Sequence, residues 1–251
     1  MSLYAIGDLH LCLGAYKPMD VFGGRWEGYM EKLREGLSVI APGDTTVLLG
    51  DLSWALGIEQ AEKDFAFLHE IPGRKIILKG NHDYWWTSMK KLGELCADEG
   101  FTTLRFLYNN AFEVETFIVA GSRGWYIDES NRRMPENADY QKIVAREAIR
   151  LEISLNEAVK LREKRLSETG EKREILVFLH FPPDFREYVC EEITAVLKKF
   201  GIKRCFFGHI HGVYDIPLRT YSDGIEYTIT SADYLDFKPL KIEPFTRGFD
   251  S

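Results

Sequence analysis

The chain contains 251 residues, of which 45% are hydrophobic and 28% charged, and its formal net charge is −7. This length and composition suit one α/β domain or two small ones, and they exclude collagen-like, disordered and disulfide-scaffold classes. No apolar run approaches the roughly 20 residues that a membrane-spanning helix needs, so no membrane partner is expected. The mild acidity argues against long nucleic acid as a partner, but it leaves open a small anionic substrate held through a metal.

Short apolar, β-branched runs alternate with helical patterns along most of the chain. Seven such runs are bounded by glycine or aspartate and predict buried strands, at residues 3–6, 45–49, 75–78, 103–107, 115–120, 175–179 and 204–207. Apolar residues at helical spacing predict helices between several of them, at residues 26–40, 59–69, 84–96 and 184–200. Strands that alternate with helices indicate an α/β layered domain.

The longest predicted helix covers about residues 137–168. Its apolar residues recur at helical spacing, at Val144, Ala148, Leu151, Leu155 and Ala158. Gly170 is a plausible stop signal. The strongly charged segment 160–165 has two interpretations: a solvated extension of a helix packed on the sheet, which we favour, or a protruding arm for dimerisation. A homo-oligomer therefore stays open.

The end of the chain indicates antiparallel pairing. Residues 213–218 and 225–230 flank a Tyr-Ser-Asp-Gly turn, which is a hairpin signal between β-rich runs. Residues 238–242 predict a further short strand. We therefore expect mixed sheets. The sequence has no recognisable linker or repeat, which predicts a single domain over residues 1–251.

Cysteine usage and the first residues indicate the compartment. None of the four cysteines belongs to a CxxC pair, and their spacing suggests neither a zinc knot nor a disulfide framework. The first seven residues contain no basic segment followed by an apolar stretch, so no signal peptide is predicted. The sequence thus predicts a cytoplasmic protein whose cysteines are reduced.

Five of the predicted strands end on polar side chains that can bind metal ions. The motifs that follow these strands are Asp8-Leu9-His10, Gly50-Asp51, Gly80-Asn81-His82-Asp83, His180 and Gly208-His209-Ile210-His211. Ligands of open α/β sheets bind outside the carboxyl ends of the strands, so we expect these side chains to share one site. Glycine before four of the motifs lets the backbone turn sharply or approach the site closely.

The chemistry of these donors favours a pair of metal ions. Nitrogen and oxygen donors without thiolate suit zinc, iron or manganese. The donors are too many for one four-coordinate ion, whereas two ions that share a bridging carboxylate would use them all. Such a pair, with its ions about 3.5–4 Å apart, is a recurrent device of phosphoryl chemistry. Each motif alone is a weak signal, but all five at strand ends are a strong one.

These motifs, in this order, resemble those of the calcineurin-like metallophosphoesterase superfamily over residues 3 to about 211. The resemblance implies an α/β fold, a four-layer α/β/β/α sandwich with two mixed β-sheets. It also implies two sets of metal ligands with one residue bridging them. The first set is Asp8, His10 and His211, the second is Asn81, His180 and His209, and the bridging residue is Asp51.

The activity that the resemblance implies is a dinuclear metal-dependent phosphohydrolase. It would cleave a phosphomonoester or phosphodiester by attack of a metal-activated hydroxide, because two divalent ions (Mn, Fe or Zn) lower the pKa of a shared water. His82 matches the family's histidine beside the substrate oxygens and could act as general acid. Asp83 would orient His82 and keep it protonated. A structural hydrogen bond is the alternative role for His82.

Two other functions are kept as alternatives. One is a catalytically inactive scaffold of the same fold, which would usually lack ligand residues. The other is a nuclease, against which the acidic balance argues. Each alternative predicts a different outcome for a simple phosphoester assay.

The sequence departs from the phosphoprotein phosphatases of this superfamily. Their phosphate-binding arginines are missing, because Leu52-Ser53-Trp54 and Tyr84-Trp85-Trp86 stand at the corresponding places. Arg123 and Arg25 are the candidate substrate-binding replacements, with a surface salt bridge as the alternative role. The aromatic residues around the motifs would either stack on a flat group of the substrate or pack the core, and we favour packing.

Overall fold

The computed structural model of the chain describes residues 1–126 and 138–244. Within these ranges the apolar runs form strands, which are Leu3–Ile6 (β1), Thr45–Leu48 (β2), Arg74–Ile77 (β3), Leu104–Phe106 (β4), Ala111–Val114 (β5), Phe117–Ser122 (β6), Glu174–Leu179 (β7), Asp184–Phe185 (β8), Tyr188–Val189 (β9), Arg204–Phe207 (β10), Arg219–Ser222 (β11), Ile225–Ile229 (β12) and Leu240–Ile242 (β13). The helices are Tyr29–Leu37 (α1), Ile58–Glu70 (α2), Met89–Asp98 (α3), Ala138–Thr169 (α4) and Glu191–Lys199 (α5).

The first sheet has the strand order β13-β1-β2-β3-β4. Strands β1 to β4 are parallel, and β13 pairs antiparallel with β1. Helices α1, α2 and α3 connect successive parallel strands and cover one face of this sheet. Leu33, Phe65 and Leu92 from these helices belong to the same buried cluster as Ile6 and Ile77. The burial of these side chains fixes the helices on the outer face.

The second sheet has the order β11-β12-β10-β7-β6-β5. Its four central strands are parallel and both edge strands are antiparallel, so both large sheets are mixed, as the sequence predicts. Helices α4 and α5 cover its outer face, where Leu151, Leu155 and Ile193 pack with Val177. Helix α4 therefore packs on the sheet through its central residues, and the role of its charged segment 160–165 stays a prediction. The predicted first residue, Asn137, lies outside the described residues.

The inner faces of the two sheets share a third apolar layer. Val47 and Leu49 from the first sheet meet Phe178 and Phe206 from the second. The two phenylalanine rings are stacked with their centroids 4.9 Å apart. Fully burying one such side chain stabilises the fold by about 1.5–3 kcal/mol. The result is the four-layer α/β/β/α sandwich that the resemblance implies.

Three predicted elements are wrong in detail. Residues 213–218 are not a strand, and β11 begins after Pro217, which lacks the N–H that a ladder needs. The helix predicted over 84–96 begins only at Met89, and the helix predicted over 184–200 begins only at Glu191. The preceding residues form the small β8–β9 hairpin, whose turn includes Arg186 with a positive φ of 56°. The edge strand β5 is only partly buried and has no strong apolar run, which explains why the sequence analysis does not include it.

Two further predictions concern the membrane and the cysteines. Among the described residues, no helix combines the length and the apolar character that crossing a membrane requires. All four cysteines are free; Cys190 and Cys205 are buried, and Cys12 and Cys96 are half-buried. This agrees with the expectation of small, reduced side chains.

Candidate metal centre

The candidate donors lie where five strands end, at one edge of both sheets. Backbone hydrogen bonds tie these ends together within each sheet: Asp8 N donates to Gly50 O (2.9 Å), and Gly208 N donates to His180 O (3.0 Å). Gly7 N, after β1 of the first sheet, donates to Thr230 O (2.8 Å), after β12 of the second, so the two sheets are joined at this edge. The structure thus brings together side chains that are more than 200 residues apart in the sequence, such as His10 and His211.

The backbone at this edge is held in an unusual conformation. Four candidate ligands that are not glycine have positive φ angles: 59° at Asp8, 47° at His10, 48° at Asp51 and 71° at His209. Such residues are uncommon in the left-handed region and cost about 1–3 kcal/mol each when strained, so they cluster at functional sites. The fold thus holds these four side chains in place at an energetic cost.

Glycine allows two of these loops to approach the carboxylates. A Cβ atom at Gly208 would lie 2.6 Å from Asp8 Oδ2, and a Cβ at Gly80 would overlap Asp51. Any side chain at either position would displace a candidate ligand. The expectation that these glycines permit close approach is confirmed.

The first donor group consists of Asp8, His10 and His211, whose donor atoms all lie within 4.8 Å of one another. His211 Nε2 is 3.2 Å from His10 Nε2 and 3.5 Å from Asp8 Oδ1. The other ring nitrogen of His211, Nδ1, donates to Asp233 Oδ1 over 2.9 Å. This hydrogen bond aims Nε2 into the group.

The second donor group consists of Asp51, His180 and His209, again within 4.8 Å. His180 Nδ1 donates to the carbonyl oxygen of Leu49 over 2.9 Å. Burial lowers the pKa of His180, so the ring is neutral and its Nε2 carries a lone pair. This Nε2 lies 2.7 Å from Asn81 Oδ1 and 3.6 Å from Asp51 Oδ1. Three acceptors facing one point make a site that a cation fits.

Asp51 lies between the two groups. Its Oδ2 is 3.9 Å from His10 Nε2, and its Oδ1 is 3.6 Å from His180 Nε2. Asp51 and Asp8 are both almost completely buried, and unpaired charges are costly in such a place. Two divalent cations would compensate both carboxylates and use every donor in the two groups.

The pKa values of the centre show strong electrostatic coupling between the donors. Burial, followed by the charge of Asp8, raises the pKa of Asp51 to about 8. Burial would lower the pKa of His211, but Asp8 and Asp233 outweigh it and raise that pKa to about 10. Burial, together with His180, lowers the pKa of His209 to about 3. Without metal, His211 therefore carries a proton and a positive charge at neutral pH. A bound metal ion would displace this proton.

His82 lies next to the first group but without the partner that the resemblance implies. Its ring centroid is 5.9 Å from that of His10, and its Nδ1 is 3.4 Å from Tyr84 Oη. Asp83, which was expected to orient His82, instead accepts hydrogen bonds from Gly80 N (2.7 Å), Leu52 N (2.8 Å) and Trp85 Nε1 (2.9 Å). Asp83 thus fixes the two loops that carry Asp51 and Asn81.

The protonation state of His82 also differs from the expectation. Burial, followed by the proximity of His180 and Lys17, lowers the pKa of His82 to about 4. Burial and the Asp51 carboxylate raise the pKa of Asp83 to about 7. At neutral pH, His82 is therefore a neutral imidazole that keeps one N–H donor, not a cation held protonated by Asp83.

Asp233 belongs to the centre, although the sequence analysis does not single it out. Besides His211, its carboxylate accepts from Gly212 N (2.9 Å) and Tyr214 Oη (2.9 Å). It is completely buried and follows β12, which is parallel to β10. A polar residue shortly after an apolar strand was therefore the signal that could have identified it.

Replacing Asp233 with asparagine should weaken metal binding without removing any ligand. The amide oxygen can still accept from His211 Nδ1, but the variant loses the negative charge that strengthens this hydrogen bond and makes the ring a better ligand, and such changes typically cost about 10–100-fold in metal affinity. The measurement is calorimetric titration of metal-free protein with Mn²⁺. Asp236→Asn, at an exposed position three residues later, is the matched control and should keep wild-type affinity. Equal affinities for both variants would contradict this role.

An open cleft of about 470 Å³ lies beside the first donor group. Its walls include Met19, Phe22, Trp26 and Trp54, together with His10, His82 and His211. Trp54 stacks on the imidazole of His10 at 4.7 Å, and Trp26 contacts that of His211 edge-on at 5.5 Å. Of the predicted aromatic cluster, Trp85 and Trp54 both pack in the core, and Trp54 also lines the cleft, so stacking on the substrate stays a prediction for Trp54. Trp26 was not predicted.

The two candidate substrate arginines lie in different places. Arg25 lines the cleft, where its Nη1 donates to Asp233 O (2.8 Å) and its guanidinium lies 3.8 Å from the Tyr214 ring centre. Arg123 follows β6 and makes an ion pair of 3.7 Å with the buried Glu147. Of these two arginines, only Arg25 therefore borders the first donor group. Among the described residues, Arg25 forms no ion pair with an acidic side chain.

The comparison with family models decides the assignment of the chain. Residues 1–213 match the model of the calcineurin-like phosphoesterases. The chain belongs to this family. All seven candidate ligands of this phosphoesterase lie inside the matched region, whereas Asp233 lies beyond it.

This phosphoesterase is also similar to solved structures, one of which, with a TM-score above 0.5, has the same fold. TT1561 of Thermus thermophilus is 13% identical with a TM-score of 0.53, and the match covers 96% of this chain and 97% of that one. Phosphopantetheinyl hydrolase (PptH) of Mycobacterium tuberculosis is 15% identical with a TM-score of 0.49, covering 100% and 98%. AQ665 of Aquifex aeolicus, a protein of unknown function, is 19% identical with a TM-score of 0.46, covering 96% and 95%. A comparison with curated proteins finds no match.

Proposed function

We propose that the chain is a dinuclear metal-dependent phosphohydrolase that cleaves a phosphomonoester or a phosphodiester. The observation that carries this proposal is the meeting of acceptors around Asp51. A neutral His180 nitrogen, the Asn81 amide oxygen and the Asp51 carboxyl group face one point, and one cation would satisfy all three. Membership of the phosphoesterase family supports the reaction class.

The proposed ligands follow the two donor groups. Asp8, His10 and His211 would hold the first ion, Asn81, His180 and His209 the second, and Asp51 both. The short distances from Asp51 to His10 and to His180 support the bridging role. Manganese, iron and zinc all suit this set of nitrogen and oxygen donors, so the proposal names the class of ion and not one element.

The residues of the chain have separate tasks in this reaction. Bound divalent cations would supply a deprotonated water near neutral pH and neutralise the phosphate oxygens. Asp51 and Asp8 hold the negative charge that keeps both cations in place. His82 donates its remaining N–H to a substrate oxygen as that oxygen gains charge. Trp26 and Trp54 form the apolar wall against which the organic part of the ester packs.

Metal addition and removal test this proposal. Purified protein should gain hydrolysis of chromogenic phosphate esters when Mn²⁺ is added, and it should lose that activity on chelation, because bound divalent cations would neutralise the phosphate oxygens and activate the attacking water. A phosphomonoester and a phosphodiester are compared side by side, and the ratio of their kcat/KM values gives the preferred class. Turnover of neither ester by protein loaded with Mn²⁺ would contradict the proposal.

The same assay separates the two alternatives. An inactive scaffold would bind metal and hydrolyse no ester. A nuclease would degrade single-stranded DNA with Mn²⁺ on a gel, whereas the net charge of −7 disfavours binding of long nucleic acid. We propose a small phosphoester as the substrate.

Three broader expectations are kept as proposals. The apolar layer shared by both sheets supports a single domain over the whole chain. The four free cysteines support a reducing, cytoplasmic location. A homo-oligomer stays open, and sedimentation of the purified protein measures it directly.

A further inference from the structure

A second pocket, of about 240 Å³, lies between the end of β3, the end of β6 and helix α4. Lys79 follows β3 and Arg123 follows β6, while Arg146 and Arg150 project from the helix. These four basic side chains line the pocket with a single acidic residue, Glu147. The pocket therefore carries an excess of positive charge on an acidic protein.

The acidic residue compensates only part of this charge. Glu147 is buried and binds Arg150 Nη1 at 2.5 Å and Arg123 Nη2 at 3.7 Å. Arg123 Nε is buried without a hydrogen-bond partner among the described residues, as are two acceptor atoms of the pocket, Glu147 Oε2 and Asn109 Oδ1. Within the same part of the chain, neither Lys79 nor Arg146 makes an ion pair. The four basic side chains outnumber the one acidic side chain, so the net charge of the pocket suits an anion.

The pocket borders the second donor group. The Arg123 guanidinium lies 5.9 Å from the centre of the Phe181 ring, which in turn contacts the His209 ring at 4.5 Å. Lys79 is only two residues before Asn81 in the loop that follows β3. The basic pocket and the second donor group are therefore neighbours in the fold, whereas the apolar cleft lies beside the first group.

We propose that this basic pocket binds a second phosphoryl group of the substrate, separate from the group at the metal centre. The inference rests on the proposed function and narrows it to phosphoesters that carry two phosphate groups. The volume is below the ~300–1,000 Å³ of pockets for whole drug-sized ligands, which suits one small oxyanion. Arginine is the side chain best shaped for bidentate contacts with phosphate oxygens.

Titration of chelator-treated, full-length protein with inorganic phosphate tests the pocket without any hydrolysis. The wild-type chain should bind phosphate at this pocket. Arg146→Gln, at an exposed position, should weaken this binding at least fivefold, and Arg146→Glu should weaken it further. Arg162→Gln is the matched control: it removes the same charge from α4, sixteen residues later and on the opposite side of the helix.

The outcomes separate the two proposals. Phosphate binding that is weakened by the Arg146 variants and retained in Arg162→Gln supports the pocket, whether or not any ester is hydrolysed. No phosphate binding by the wild-type chain, or equal binding by all variants, would overturn it and leave the metal centre unaffected. Binding of acetate as tightly as phosphate would also overturn it, because the pocket would then recognise only negative charge.

Discussion

Replacing Asp51 with asparagine is expected to reduce the bound metal from about two ions per chain to fewer than one. The carboxylate lies between both donor groups, and an amide supplies no negative charge to hold two cations together. The amide oxygen can still accept the hydrogen bond that His82 N donates to Asp51 Oδ1 over 2.7 Å, so the loop is preserved. We expect kcat/KM for a chromogenic ester to fall at least about 1,000-fold, or about 4 kcal/mol of transition-state stabilisation.

The control for this variant is Asp44→Asn at the other end of the same strand. Asp44 is also buried, and its carboxylate accepts from Ser2 N (2.7 Å) and Ala41 N (2.9 Å). Asp44 precedes β2, whereas Asp51 follows this strand. Asp44→Asn therefore replaces a buried aspartate that lies far from the donor groups. Metal content by elemental analysis should fall only in Asp51→Asn. Two ions per chain in Asp51→Asn would refute the bridging role.

The second large effect is expected for His82→Ala, which should slow the reaction while both metal ions stay bound. His82 lines the cleft but contributes to neither donor group. Removing a hydrogen-bond donor to a developing negative charge typically costs about 100–1,000-fold in kcat. Because the pKa of His82 is lowered to about 4, we expect no loss of activity between pH 6 and 8 from its deprotonation.

The choice of leaving group sharpens this test. If His82 donates to the leaving oxygen, the His82→Ala variant should lose more activity with an alkyl ester than with a nitrophenyl ester. A nitrophenolate is a weaker base than an alkoxide, so it can leave without a hydrogen bond from His82. His69→Ala is the control, because His69 bonds Thr103 Oγ1 at 2.9 Å, away from the centre. Equal losses with both esters would place the hydrogen bond elsewhere on the phosphate. Loss of metal would mean that His82 has a structural role.

The donor set was predictable because its signals are local. Each apolar run ends on glycine or directly on a polar residue, and parallel strands bring their carboxyl ends to one edge whatever the order of the strands. For this reason Asp8, Asp51 and His180 could be named before the fold was known. The predicted bounds of β1 and β10 are accurate for the same reason: these buried strands are continuous apolar runs.

Other parts of the centre depend on contacts that no local pattern reveals. Trp26 reaches His211 from a short 3₁₀ turn, and Asp233 reaches the same histidine from the far end of the chain. The sequence predicts that Asp83 binds His82, the residue next to it in the chain. The structure turns its carboxylate toward backbone N–H groups instead, because buried N–H groups need acceptors.

The pocket formed by Lys79, Arg123 and α4 also depends on contacts that no local sequence pattern reveals. Its basic residues are spread over three segments of the chain, and only the packing of the long helix on β6 brings them together. In the sequence, Arg146 and Arg150 look like residues of a solvated helix face. The charge of a pocket thus follows from tertiary packing and not from the composition of any one segment.

The most direct test of the two-ion centre is a calorimetric titration of metal-free protein with Mn²⁺, with hydrolysis of a phosphoester recorded at each addition. We predict saturation at about two ions per chain, with activity that rises mainly as the second ion binds. In Asp51→Asn the same titration should show neither stoichiometric binding nor activity. Saturation at one ion, or full activity before any metal is added, would contradict the dinuclear centre.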